Sequence, residues 1–134
     1  MSRFDPSAFL ESCGLRATRP RLKIACILFG DGRDRHVTAE WLAEEIANQG
    51  EPVALATVYN TLHSLVSVGA LREVHGASAG TIVFDTHTAP HHHFYDETSG
   101  ELTDIASDEL SVAGLPEAPA GKTIAGCDII IRVR

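Results

Sequence analysis

Apolar and polar positions along the first half of the chain fall into helical segments with clear start and stop signals. Asp5-Pro6-Ser7 places a capping acid before a first-turn proline; Phe9 and Leu10 follow, and Gly14 ends the segment. Thr18-Arg19-Pro20 repeats the start signal. Leu22 to Phe29 is then apolar almost all round, which predicts a buried helix closed by Gly30-Asp31-Gly32. Thr38 caps a third helix, with Glu40 in the first turn where the dipole favours an acid. Ala39, Leu42, Ala43 and Ile46 recur at spacings of three and four and form one buried stripe, up to Asn48-Gln49-Gly50. A fourth helix runs from about Ala56 to Val68. Val58, Leu62 and Leu65 face inward, and Thr57, Asn60, Thr61, Ser64 and Ser67 make an outer face that is polar but uncharged.

The pattern then changes to short strands. Leu71 to Val74 and Thr81 to Asp85 form a hairpin around the small residues of His75 to Gly80. Thr86 to Pro90 is a linker. His91 to Asp96 and Glu101 to Ile105 make a second hairpin around Ser99-Gly100. Ser107-Asp108-Glu109 starts a short helix that Pro116 and Pro119 break, and Cys127 to Arg134 alternates as a strand. The expected class is α+β. Residues 1–86 form a winged helix-turn-helix DNA-binding domain, and residues 87–134 a small αβ domain. So short a second piece rarely folds alone; it needs a metal or a partner subunit, here a homodimer joined through the sheet.

Composition narrows the classes. Of 134 residues 44% are hydrophobic and 22% charged, as in ordinary globular chains. No apolar run approaches the roughly 20 residues of a membrane helix, and the first residues lack a secretory leader, so the expected location is cytoplasmic. Cys13, Cys26 and Cys127 are odd in number and far apart, which argues against a cysteine zinc site and predicts buried single thiols. A net charge of −7, taken alone, argues against nucleic acid. It is uneven, however: −2 over residues 1–85 and −5 over 86–134, while Arg16, Arg19, Arg21 and Lys23 stand together without an acid. Those three arginines suit backbone phosphates. Thr57, Tyr59 and Asn60, near the start of the fourth helix, suit base edges, a thymine methyl or a phosphate.

His91-His92-His93 is the least ordinary feature. On a strand His91 and His93 point the same way, a two-nitrogen chelate. Asp85, Asp104 and His36, the last in the loop before the third helix, complete a mixed nitrogen and oxygen set suited to Fe²⁺ or Mn²⁺, with Zn²⁺ also accepted in vitro. His75 and His87 read as surface residues, and His63 as either a packing residue or a phosphate contact. An ion shared by Asp85 and by His91 and His93 would fix the linker and so the spacing of paired reading helices.

Gly14-Leu15-Arg16-Ala17-Thr18-Arg19-Pro20-Arg21, His36-Val37-Thr38-Ala39-Glu40 and Leu55-Ala56-Thr57-Val58-Tyr59-Asn60-Thr61-Leu62 resemble the ferric-uptake-regulator family of dimeric winged-helix repressors. The resemblance implies a regulatory metal at His36, Asp85, His91, His93 and Asp104, and DNA contacts at Arg19, Tyr59 and Asn60 with Thr57 beside them. Asp96 and Ser99 stand where many members carry a first cysteine pair, so a four-cysteine structural zinc is not expected. The missing cysteines, with Pro90-His91-His92-His93-Phe94-Tyr95, look most like the iron response regulator (Irr) branch. That likeness implies haem on His91, His92 and His93, ferrochelatase as haem donor, and repression of iron and haem genes at AT-rich inverted repeats. Cys13 is followed by Gly14, so a cysteine-proline haem motif is lacking. Other readings are a divalent-metal or peroxide-sensing repressor without haem, a dimerisation adaptor, and a small metalloenzyme, for which neither an HExxH nor a nucleophile motif exists.

Overall fold

The computed structural model describes residues 3–78 and 80–134, in two compact units. The first runs up to His75 and resumes at Gly80–Thr88; the second takes Gly76–Ser78 with Ala89–Arg134.

The first unit holds four helices: α1 (Pro6–Ser12), α2 (Arg19–Phe29), α3 (Ala39–Asn48) and α4 (Leu55–Ser67). The starts of α1, α2 and α3 follow from their caps, whereas α4 begins after Ala54 without a side-chain cap. Asp5 accepts from the amides of Ser7 and Ala8, Thr18 from Arg21 and Thr38 from Trp41. Ile24, Leu28, Leu42, Ile46, Val58, Leu62 and Leu65 are fully buried and pack with Phe84. The α2 segment is less buried than its sequence suggests. Ile24, Ala25 and Leu28 are covered, but Cys26 is exposed, because the helix has one packed stripe and Cys26 lies off it. The carbonyls of Ile27 and Leu28 at its end accept from the Arg35 guanidinium (2.7 and 3.2 Å), which also pairs with Asp31. This cation sits where the helix dipole favours one.

Three strands flank the helices: β1 (His36–Val37), β2 (Arg72–Ser78) and β3 (Thr81–Asp85), in the order β1-β3-β2. The residues around His36 are therefore strand rather than loop; His36 pairs with Asp85 and Val37 with Phe84. The strand β2 also runs on through residues expected to be hairpin tip.

The second unit is built on β4 (His92–Asp96), β5 (Leu102–Ile105) and β6 (Ile130–Val133), in the order β5-β4-β6. β4 pairs antiparallel with β5 and parallel with β6. Arg132 donates to the carbonyls of Gly76 and Ala77 and lies 5.6 Å over the Tyr95 ring. The helix expected at Ser107 is absent. Only a turn forms at 107–109, since Gly114 adopts φ 75° and prolines follow, leaving too few residues to nucleate a helix. The thiols also correct the expectation: Cys26 and Cys127 are exposed and Cys13 half-buried.

Candidate metal centre

The metal-binding residue types occur on two short ladders, one in each unit. In the first unit the β1–β3 register sets His36 opposite Asp85, with Nε2 3.2 Å from Oδ2. Asp85 is fully buried, and its Oδ1 accepts from the His87 amide at 2.9 Å. An ionised carboxylate without solvent is costly unless it meets a cation or donors.

In the second unit the β4–β5 register sets His93 opposite Asp104. His91, one residue before β4, lies on the same side; both imidazoles are 3% exposed and their centroids are 4.6 Å apart. Nε2 of His91 and Nε2 of His93 lie 3.4 and 3.3 Å from the same Oδ1 of Asp104. His91 Nδ1 is 2.6 Å from the Ala89 carbonyl. A carbonyl only accepts, so Nδ1 carries the proton, and in the neutral ring Nε2 is left as a lone pair aimed at a carboxylate oxygen. Two acceptors face each other favourably only around a proton or a cation. Ligand atoms at about 2.1 Å from one ion stand roughly 3.0–3.4 Å apart, the spacing seen here. A carbonyl that fixes the tautomer from behind is also the usual support of a metal-binding histidine. This donor set fits a divalent ion.

His92 points the other way, and its Nδ1 accepts from the Ile129 amide at 3.1 Å. The alternation read from the histidine run is thus the geometry of the strand.

The residues expected to meet nucleic acid all lie in the first unit. Arg16 and Arg19 are exposed at the start of α2, and Arg21 turns back to donate to the Arg16 carbonyl at 3.0 Å. On α4 Asn60 is exposed, whereas Thr57 and Tyr59 are half-buried. Tyr59 donates its hydroxyl to Glu40 at 2.9 Å, and the carboxylate raises the phenol pKa. Thr61 is 3% exposed, so it does not belong to the outer face. The hydroxyls of Thr61, Ser64 and Ser67 donate to carbonyls one turn back, at Thr57, Asn60 and His63. His63 sets its ring edge-on to Phe84 and lies 3.6 Å from Glu73, which also holds His75 at 2.8 Å. Sequence reasoning missed Glu40, Glu51 and Glu73 as partners of this face. Glu40 and Glu51 meet partners 19 and 32 residues away, at Tyr59 and Arg19, which no local pattern marks.

No helix among the described residues is long and apolar enough to cross a membrane. The family model described as "Ferric uptake regulator family" matches residues 12–125. The ferric uptake regulation protein of Vibrio cholerae is 33% identical over 107 residues, covering 79% of this chain and 70% of that protein. The Shigella flexneri protein of the same name is 38% identical over 89 residues, 66% of this chain and 58% of its own length, so the match spans less than two-thirds of that relative. Among solved structures, the Vibrio cholerae ferric uptake regulator superposes with TM-score 0.74 at 26% identity, over 97% of this chain and 99% of that one. The Pseudomonas aeruginosa regulator, solved with manganese, gives 0.71 at 24% identity over 98% of both chains and supports the fold. The fold is accordingly α+β, with a helical first unit consistent with a winged-helix DNA-binding domain and a small second unit whose regular elements, among the described residues, are strands. The chain belongs to the ferric uptake regulator family, whose members are transcription regulators and not enzymes.

Proposed function

We propose that this chain is a homodimeric, iron-responsive repressor that binds double-stranded DNA in the cytoplasm, at AT-rich inverted repeats. In this reading His36, Asp85, His91, His93 and Asp104 hold one Fe²⁺ or Mn²⁺ ion between them, joining residues 1–86 to residues 87–134. The observation that carries it is the convergence of two buried imidazoles on one Asp104 oxygen. When bound, the ion supplies charge that satisfies Asp85 and Asp104. The chain's own residues do the rest. The histidines keep their tautomers by bonds such as His91 to Ala89, and the strands hold the donors in register. Two arrangements of the units that differ in metal affinity then differ in DNA affinity by the same coupling. Arg16, Arg19 and Arg21 position the duplex, and Thr57, Tyr59 and Asn60 meet the bases.

The test is anisotropy of a fluorescent inverted-repeat duplex during a Mn²⁺ titration. Binding should tighten at least tenfold with Mn²⁺, and His93→Ala and Asp104→Ala should lose that gain. DNA binding equal in both conditions would refute the metal control.

A narrower reading adds haem sensing through His91, His92 and His93, in the manner of the Irr branch, with ferrochelatase as donor. It is favoured by the half-exposed His92 imidazole, on the side of β4 away from His91 and His93. Ligation through His92 Nε2 needs the tautomer opposite to the one that accepts from Ile129. Stoichiometric haem should then release the Mn²⁺-loaded protein from DNA, and replacing all three histidines should abolish the release. Release that survives the triple replacement, or no release from the wild type, removes haem from the account.

A further inference from the structure

The loop between α3 and α4 delivers an acid to the start of α2. Gly50, at φ 93°, turns the chain, and Glu51 reaches across to Arg19 and Lys23. Its two carboxylate oxygens take the Arg19 Nε and Nη2 as a fork, with Nε at 2.5 Å from Oε2, and Lys23 Nζ lies 2.8 Å from Oε2. Arg19 is the first residue of α2 and Lys23 lies one turn on, so both cations stand at the positive end of that helix. A planar guanidinium fork beside an ammonium is the arrangement that binds a phosphate as readily as a carboxylate. Arg19 is 75% exposed and Glu51 46%, so a duplex can reach the fork, whereas Lys23 at 19% is largely covered. The cations in turn hold Glu51 ionised, its pKa lowered to about 2 chiefly by the Arg19 hydrogen bond.

We propose that Arg19 and Lys23 form a backbone-phosphate site and that Glu51 is its internal occupant, an acid that competes with DNA for the pair. The proposal rests on the DNA-binding reading above. Because phosphates carry no sequence, Glu51 lowers affinity for every duplex alike and leaves base preference unchanged. It acts as a built-in counter-ion that keeps non-specific binding weak, so that contacts made by α4 decide where the protein stays.

The experiment compares wild type, Glu51→Gln, Glu51→Asp and Arg19→Gln with the double variant Arg19→Gln/Glu51→Gln. All are read by anisotropy on an inverted-repeat duplex and on an unrelated duplex, between about 50 and 200 mM salt. Each phosphate contact is worth a factor of roughly 3–4 over that range. Glu51→Gln should bind both duplexes about 3–10-fold tighter at about 50 mM salt, a gain that shrinks by that factor per restored contact by about 200 mM. Its log–log salt slope should steepen by about 0.9 for each cation released to a phosphate. Glu51→Asp keeps the charge but is one methylene shorter and cannot span both cations, so a partial gain there separates competition from a general change of field. The gain should shrink when Arg19 is already Gln, to what the largely covered Lys23 alone contributes. Wild-type affinity in Glu51→Gln, or an undiminished gain without Arg19, overturns the proposal while DNA binding stands. Failure of the Mn²⁺-loaded wild type to bind either duplex overturns the DNA-binding reading, and this one with it. Thermal melts of each variant confirm that the fold is intact.

Discussion

Phe84 is the side chain on which the first unit's packing and its His36–Asp85 ladder both depend. It is fully buried, pairs with Val37 in a ladder of two residues, and receives the edge of the His63 ring at 6.0 Å. Replacing it with Ala removes the ring and leaves a cavity among Val58, Leu62 and Leu65, side chains that are themselves held on a rigid helix. Such a change costs about 3–5 kcal/mol, while Phe84→Leu, which nearly conserves volume, costs under about 1.5 kcal/mol. All the helices among the described residues lie in the first unit, so far-ultraviolet circular dichroism at the helix band reports that unit. With a urea slope of roughly 2 kcal/mol per molar, the midpoint should fall by about 2 M for Ala and under 1 M for Leu. The β1–β3 ladder is two residues long and is otherwise flanked by the Arg35–Thr86 hydrogen bonds, so Phe84→Ala should also weaken Mn²⁺ binding at protein concentrations and temperatures where it stays folded. A midpoint for Phe84→Ala within about 0.5 M of wild type would refute this account of the core. Equal damage from Leu and Ala would refute the cavity argument.

Other outcomes follow from single contacts. Thr38→Ala removes the acceptor for the Trp41 amide and should lower stability by about 1 kcal/mol in the same urea assay; no change would mean that solvent caps α3 equally well. Asp31 is held near pKa 2, first by its hydrogen bond to Arg35 and then by the Arg33 amide. Its folded value lies below its ordinary one. Its contribution is therefore present above about pH 4 and lost as pH falls through about 2, a loss that Arg35→Gln should flatten in an acid titration of the urea midpoint. With Cys26 and Cys127 exposed and Cys13 half-buried, native protein should show two fast thiols and one slow one towards a disulfide reagent; a single fast thiol would contradict the placement of α2.

Much of this was legible from the chain because the signals were local. Caps at Asp5, Thr18 and Thr38 fixed three helix starts, and the stripe of Val58, Leu62 and Leu65 fixed the inner face of α4. Alternation in His91-His92-His93 is enough to place two rings on one side, and the candidate donors His36, Asp85, His91, His93 and Asp104 are all residue types that ligate divalent ions. What escaped needed tertiary information. A two-residue strand at His36 exists only because β3 offers an edge to pair with. Thr61 looked outward by polarity, yet its hydroxyl is satisfied by its own helix and can be buried. Glu51 finds its cations 28 and 32 residues away, beyond any local pattern. The helix expected after Ser107 failed for the opposite reason: a short polar run resembled a helix start, with nothing to pack against it.

The parallel strand β6 has a consequence for the order in which the second unit is assembled. β4 and β5 are joined by a short turn, so their pairing closes a small loop and can form early. β6 docks on β4 from far along the chain, His92 meeting Ile129 across 37 residues, and its closure is the slower event. His91, His93 and Asp104 all lie on or beside the early hairpin. The imidazoles and the carboxylate can therefore meet while residues 106–129 are still unfixed, and an ion taken up at that stage would be a nucleus for the unit rather than a late addition to it.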